Sequence, residues 1–152
     1  MTISDELVEA FVAAVPLVLQ DMGAVEAFVR GIDAANTSDR ANGISVTMTL
    51  STSFANLDFV LHFRERTAVA LAERILTETI EHPSADMVRD CVGEVANVIA
   101  GQAKSMLVGN PAHFTLSTPT VRDGRLVEPA NGRAIDFDSS IGEFSLHLCQ
   151  KA

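Results

Sequence analysis

The sequence predicts an α+β domain in which long helices pack on one mainly antiparallel β-sheet. Apolar residues recur at helical spacing in some segments, and in others they alternate with polar residues as in half-buried strands. The chain has 152 residues, an ordinary size for a domain with a single core. We therefore predict one domain over residues 1–152, in which two related helix-plus-antiparallel-hairpin units share the sheet.

The first unit begins with a helix. Apolar residues at helical spacing predict it from about Ser4 to Met22, with Thr2 or Ser4 as its N-cap and Pro16 as a position where it can kink or break. A polar, turn-rich stretch follows between residues 31 and 43. Period-two alternation then predicts a hairpin, with strands over residues 44–50 and 57–63.

The second half of the chain follows a connecting helix, which we expect from about Glu65 to Ile80. His82-Pro83 ends that helix, and Ser84 caps the next one, which continues to about Leu107. Asp123-Gly124 is a turn signal between short strands, and a final hairpin closes the chain. The strands of this half are expected near residues 114–118, 120–122, 126–128, 133–137 and 143–149.

Two segments of the chain resemble two others at one shared offset. The helical pair is Asp5-x-x-x-Glu9-x-x-Val12 and Asp90-x-x-x-Glu94-x-x-Asn97, and the strand pair is Phe59-x-Leu61-His62-Phe63 and Phe144-x-Leu146-His147-Leu148. The offset is 85 residues in both, since 94 − 9 = 85 and 147 − 62 = 85. We interpret this as an internal pseudo-repeat of approximately residues 4–63 and 89–148, in which Val12 takes the place of Asn97.

The composition makes several classes of function improbable. The net charge is −9 and no basic cluster exists, whereas nucleic acids and anionic membranes require a positive surface. No apolar run approaches the length of a membrane span, and the acidic N-terminus is unlike a signal peptide. We therefore expect a cytoplasmic protein with no nucleic-acid or membrane partner, in which Cys91 and Cys149 are buried free thiols.

The helix that follows Ser84 carries one narrow polar stripe in an otherwise apolar segment. Asp90, Glu94 and Asn97, followed by Gly101, are spaced four, three and four residues apart and so share one helix face. Glu-x-x-Asn is by itself a weak motif, and a chance pair is the simpler explanation. Gly93 and Gly101, however, each lower helix propensity by about 1 kcal/mol, which we interpret as room for a partner's backbone.

Other kinds of chemistry have no signature in the chain. The serines lack a nucleophile elbow of the Gly-x-Ser-x-Gly type, and no glycine-rich phosphate loop is present. The four histidines lack metal-ligand spacing, so we predict neither a bound metal nor a cofactor. His62 and His147 are expected to project from the strand face opposite the Phe and Leu residues, into solvent or an interface.

A carboxylate and an amide without a metal, base or nucleophile suit one task in particular. An amide can orient a water molecule because it donates and accepts hydrogen bonds at once. Phosphoryl transfer depends mainly on positioning and charge complementarity, with an in-line water and a nearby cation. Glu94 and Asn97 are therefore compatible with a role in positioning a water for phosphoryl transfer.

The segment Asp90-Cys-Val-Gly-Glu94-Val-Ala-Asn97, with Pro119 downstream, resembles the CheC/CheX/FliY chemotaxis phosphatases. Their shared pattern is an Asp or Ser, then Glu, then Asn at these spacings. The chain length and the single intact motif resemble the CheX branch, because CheC-type proteins usually keep both copies. The resemblance extends over the whole chain, including the order of helices and strands.

This resemblance implies a phosphatase acting on the phospho-aspartate of a CheY-like response regulator. Glu94 would dock the receiver's lysine, Asn97 would align the attacking water, and Asp90 and Gly101 would be accessory positions. The receiver would supply the Mg²⁺, and a homodimer is expected. Two alternatives remain open: a non-enzymatic receiver-binding module of a chemotaxis or flagellar complex, and a plain dimerisation domain.

Overall fold

The computed structural model describes residues 3–33, 42–76, 82–126 and 132–151, which form an α+β fold of one sheet and one helical layer. The three helices of this part of the chain contact one another on a single face of the sheet. In chain order the elements are α1 (Asp5–Gly23), β1 (Ala27–Ile32), β2 (Asn42–Ser51), β3 (Asn56–Arg64), α2 (Glu65–Ile75), α3 (Ala85–Met106), β4 (Thr115–Leu116), β5 (Thr120–Arg125), β6 (Gly132–Ser139) and β7 (Phe144–Gln150).

The first helix confirms the prediction and runs unbroken through its proline. Ser4 caps α1, because its hydroxyl oxygen accepts a hydrogen bond from the backbone N–H of Leu7 at 3.2 Å. Pro16 lies inside the helix, where its lack of an N–H removes the usual donor to the carbonyl of Val12. The helix ends at Ala24, which adopts a left-handed backbone conformation with φ of 52°.

The strands pair antiparallel throughout the described sheet, as the sequence predicts. Their order is β1-β6-β7-β3-β2-β4, and β5 also pairs with β2. Both predicted hairpins are present, β2 with β3 and β6 with β7, and they meet along the central pair β3 and β7. The predicted fold class, α+β with long helices packed on a mainly antiparallel sheet, is therefore confirmed.

The sheet is arranged symmetrically about the junction of β3 and β7. Leu61 pairs with Leu146, two residues that are themselves 85 positions apart. A shift of 85 residues also carries β1 onto β4, β2 onto β6 and β3 onto β7, and each first strand pairs with the second strand of the other unit. This is the geometry that a duplicated unit would give. The origin of the chain by duplication stays a proposal.

Phenylalanine rings supply the centre of the core in a chain without Trp or Tyr. The ring of Phe11 in α1 meets Phe59 edge to face at 5.0 Å and stacks on Phe114 at 6.1 Å. Across the sheet, Phe137 stacks on Phe144 at 5.0 Å. These rings pack the helices against one face of the sheet. It is the face that the alternation of apolar and polar residues predicts to be buried.

In the connecting segments one strand was missed and one prediction was wrong. No element was predicted for residues 23–30, yet β1 begins there and forms the edge of the sheet beside β6. Asp123-Gly124 is not a turn but part of β5, in which Gly124 pairs with Gly43 and has φ of 121°. The glycine therefore serves an irregular strand rather than a hairpin. Helix α2 ends at Ile75, short of the predicted end near Ile80, and residues 77–80 and 127–128 of the predicted helix and strand lie outside the described residues.

His62 and His147 were predicted to project into solvent or an interface, and this prediction was also wrong because the structure buries both. His62 and His147 are 2% and 1% exposed, although they alternate with the core residues of their strands. Each approaches a serine hydroxyl: Nδ1 of His62 lies 2.7 Å from Ser45, and Nε2 of His147 lies 2.9 Å from Ser145. Neighbouring side chains of the sheet bury both rings, and these hydrogen bonds offset the loss of water.

Candidate active site

The polar stripe of α3 lies on the side of the helix that faces away from the sheet. Ser84 caps this helix through the backbone N–H of Met87, as predicted. Asp90 and Glu94 are exposed, whereas Asn97 and Gly101 are half-buried. The inner face of the same helix is made of small and branched apolar residues, among them Val88, Val92, Val95, Ala96 and Ile99.

The side chains of the stripe are free of partners within the described part of the chain. Across the described residues, Asp90, Glu94 and Asn97 form no side-chain hydrogen bond and no ion pair with the rest of the chain. A half-buried amide without a partner is restricted by its neighbours yet retains its donor and acceptor groups for another molecule. The stripe is therefore available for contact with a partner.

Strand β5 fixes the position of α3 next to the sheet. Nη1 of Arg89 donates to the carboxylate of Asp123 at 2.7 Å, and one turn later Gly93 faces Val121. From Arg89 to Gly93 the helix advances about 6 Å, and from Asp123 back to Val121 the strand covers about 6.6 Å. The two elements therefore run antiparallel, with matching distances between their contacts. Pro119 lies directly before the first residue of β5.

The two glycines of α3, Gly93 and Gly101, have different surroundings. A Cβ at Gly93 would lie 3.3 Å from Cγ2 of Val121, so this glycine permits close packing on β5. The interpretation of Gly93 as a site of partner approach is therefore wrong. At Gly101 a Cβ would meet nothing within 4 Å, and the surface there is open to another molecule.

The buried thiol of Cys91 lies on α3 between the two carboxylate residues of the stripe, Asp90 and Glu94. Cys91 and Cys149 are free and buried, as predicted from the sequence. Burial raises the pKa of the Cys91 thiol, and the negative charges of Asp90 and Glu94 raise it further. Burial and the charge of Asp58 likewise raise the pKa of Cys149. Both side chains are therefore neutral thiols near neutral pH.

The corresponding face of α1 is built differently. Asp5 holds Nη1 of Arg133 at 3.0 Å, and hydrogen bonds to Asp33 and then Asp5 raise the pKa of that guanidinium. Glu9 is exposed, but Val12 and Pro16 occupy the positions that Asn97 and Gly101 hold in α3. Of these two helix faces, that of α3 presents a carboxylate and an amide together.

The described residues contain neither a cluster of metal-ligating side chains nor a helix suited to cross a membrane. No three His, Cys, Asp or Glu side chains gather as a possible metal site in the ranges 3–33, 42–76, 82–126 and 132–151. Over the same ranges, no helix is both long and apolar enough to cross a membrane.

Sequence comparison identifies the family through the region that contains this stripe. A family model described as chemotaxis phosphatase CheX matches residues 44–137, which is 94 of the 152 residues and includes α3 and Pro119. The chain belongs to the CheX family. No curated protein matches the sequence.

Solved structures support the same assignment at the level of the fold. Chemotaxis protein CheX from Desulfovibrio desulfuricans is 26% identical, with a TM-score of 0.79 over 96% of this chain and 99% of that one. CheX from Vibrio vulnificus is 22% identical, with a TM-score of 0.82 over the same shares. A CheX–CheY–BeF₃–Mg²⁺ complex from Borrelia burgdorferi is 19% identical, with a TM-score of 0.75 over 95% and 97%.

The sequence located the stripe but missed the elements that support it. Val121 and Asp123 of β5 position α3. The spacing of residues in the sequence did not predict that either one contacts this helix. The available signal was Gly93, because a glycine among the apolar residues of a helix often marks close packing against another element. Leu17 on the outer face of α1 was also passed over, although it falls outside the apolar stripe of that helix.

Proposed function

We propose that this CheX-family protein is a phosphatase that hydrolyses the phospho-aspartate of a CheY-like response regulator. The observation that carries the proposal is the pair on α3, in which exposed Glu94 and half-buried Asn97 share one face and have no partner in the described chain. The pair lies within the region that matches the CheX family model. The relative from Borrelia burgdorferi that was solved with CheY supports a receiver domain as the partner.

In the proposed reaction, the two side chains of α3 do different work. Glu94 forms an ion pair with the receiver's lysine and so orients the two proteins. The Asn97 amide enters beside the acyl phosphate and holds a water in line with the bond that will break. The oxygen of that water bonds to phosphorus, the bond from phosphorus to the aspartyl oxygen breaks, and inorganic phosphate and a free aspartate carboxylate result.

The positive charge that this reaction needs is expected to come from the receiver. Mg²⁺ bound by the receiver would neutralise the phosphoryl oxygens. We propose no metal ligands on this chain, and Asp90 is a supporting residue for the helix rather than a catalytic one. The homodimer implied by the family resemblance and the cytoplasmic location expected from the sequence composition stay predictions.

The experiment compares receiver dephosphorylation by the wild-type protein with that by Asn97→Ala. We expect the variant to lose roughly a hundredfold in kcat, since removal of one group that orients the reaction commonly has this effect. Gln102→Ala is the matched control, because it removes an exposed amide from the same helix outside the stripe. Phosphate release from a radiolabelled receiver measures the rate.

The same experiment separates the phosphatase from a receiver-binding module that lacks activity. Binding of a beryllofluoride-activated receiver should be retained in Asn97→Ala, because Glu94 still docks the receiver. Full acceleration by Asn97→Ala would exclude the proposed role of the amide. Receiver binding by the wild type without faster phosphate release would favour the non-enzymatic module.

A further inference from the structure

The outer face of α1 carries an apolar strip that the proposed reaction does not use. Leu17 is 51% exposed, Ala13 is exposed, and Val12 and Pro16 are half-buried beside them. We call these four residues the α1 strip. Exposed leucine on a helix is common, but here it adjoins further apolar surface.

The strip lies beside the catalytic pair because α1 and α3 run antiparallel in one layer. The first turn of α1 and residues 110–112, which follow α3, line one groove, so the start of α1 lies next to the end of α3. From Asp5 to Leu17 is twelve residues, and from Met106 back to Glu94 is also twelve. At 1.5 Å per residue both distances are about 18 Å, so Leu17 lies near Glu94 when the start of α1 is taken as level with the end of α3.

The same count places Ala13 level with Val98, next to Asn97. Packed helices are separated by about 8–10 Å between their axes, so the α1 strip is about one helix diameter from the amide. Both surfaces face away from the sheet. A partner that contacts Asn97 from outside therefore reaches the strip without any rearrangement.

A receiver that buries a typical interface area around Asn97 also covers part of α1. A specific complex buries about 800 Å² on each partner, a patch roughly 30 Å across. A patch of that size centred on Asn97 extends beyond α3 and covers the neighbouring turns of α1. Polar contacts such as that of Glu94 favour orientation over affinity, whereas burial of an exposed leucine adds affinity directly.

We propose that the α1 strip, with Leu17 at its centre, is an apolar docking surface for the receiver that α3 dephosphorylates. This inference rests on the proposed function and assigns a role to the first unit. In that unit the amide and the glycine of the motif are replaced by Val12 and Pro16. One unit then supplies the chemistry and the other supplies affinity, on a single continuous surface.

The test separates binding from chemistry with two substitutions at one position. Leu17→Glu and Leu17→Gln both place good helix formers on an exposed face, so α1 should be preserved. We expect each to weaken binding of the beryllofluoride-activated receiver about tenfold and to raise KM similarly, with kcat unchanged. Phe54→Glu is the control, because Phe54 is 71% exposed in the turn between β2 and β3.

The outcomes distinguish this inference from the proposed function. If the wild type accelerates dephosphorylation and both Leu17 variants match it in KM and affinity, the docking role is wrong and the proposed function is retained. If the wild type neither binds nor dephosphorylates the receiver, both proposals fail. If the Leu17 variants lose self-association in light scattering and keep receiver affinity, a second copy covers the strip and the proposal is overturned.

Discussion

Helices α1 and α3 are alike on their inner faces and different on their outer faces. Both bury a continuous row of apolar residues against the same sheet. Outside, α3 shows Glu94, Asn97 and an open glycine, whereas α1 shows Glu9, Val12 and a proline. Packing restricts the inner faces because every buried residue must fit its neighbours. The outer faces are not restricted in this way, and it is there that we place the difference in function.

The first position of each stripe illustrates the same contrast. Asp5 is held by Arg133, which also donates to Asp33 at 2.7 Å, whereas Asp90 has no such partner in the described chain. Exposed ion pairs contribute little to stability, so the value of the Asp5 contact is mainly to fix the start of α1 on β6. An aspartate at one position of a repeated pattern can therefore serve structure in one copy and stay available in the other.

The largest difference expected between the helices concerns their glutamates. Glu94→Ala should raise KM for the phosphorylated receiver about tenfold, because it removes the charge that pairs with the receiver's lysine. Glu9→Ala is the matched change on α1 and should leave KM within about twofold, since an exposed charge that pairs with no receiver lysine contributes little. Steady-state phosphate release over a range of receiver concentrations measures both.

Salt provides an independent test of the same comparison. If the Glu94 pair is exposed, the wild type should approach the Glu94→Ala variant as ionic strength rises, because salt screens the attraction. Equal KM values for Glu9→Ala and Glu94→Ala would show that the two helices do not differ in docking as we propose.

Much of the fold could be predicted because its main strands and helices have regular periodicity. The four strands of the two hairpins alternate over most of their length, and each was placed within two residues of its observed ends. The edge strand β1 was missed because Arg30 and Gly31 interrupt its alternation, where the pairing with β6 shifts register. A turn was predicted at Asp123-Gly124 because local residue preference does not show that a neighbouring strand will pair across it.

The candidate site could be predicted in its sequence positions but not in its surroundings. Helical spacing alone put Asp90, Glu94, Asn97 and Gly101 on one face, and the structure places that face outward. The support from β5 depends on residues about thirty positions away, and single-sequence periodicity carries no information about such contacts. For the same reason the closeness of the α1 strip to Asn97 required the antiparallel packing of two helices.

The glycine of the α3 stripe offers a second way to separate stability from function. Gly101→Ala should raise the free energy of unfolding by about 1 kcal/mol, because alanine favours the helix and its Cβ meets nothing within 4 Å. If a receiver approaches here, the same substitution should raise KM. Chemical denaturation and phosphate release on the same preparation measure the two effects.

Gly93→Ala is the control for this substitution. Its Cβ would press on Val121 at 3.3 Å, so any gain in helix propensity is opposed by crowding against β5. Because the inner face of α3 does not meet a partner, KM should follow the wild type if the fold is kept. A Gly101→Ala protein that is more stable and equally active would contradict our interpretation that the open surface at Gly101 is used.

The smallest effect expected is a change in the reactivity of Cys91, which reports the charge of the α3 stripe. The raised pKa of this thiol reflects burial first, then Asp90 and Glu94, so removing either charge should lower the pKa and increase the thiolate fraction. Iodoacetamide should therefore alkylate Cys91 faster in Asp90→Asn and Glu94→Gln at mildly alkaline pH, and at an unchanged rate in Glu9→Gln. Cys149 in the same molecule is the internal reference, because its pKa is raised by burial and Asp58 instead. Mass spectrometry of the two alkylated peptides measures the ratio, and a ratio that is equal in all four proteins would show that the stripe's charges do not act at Cys91.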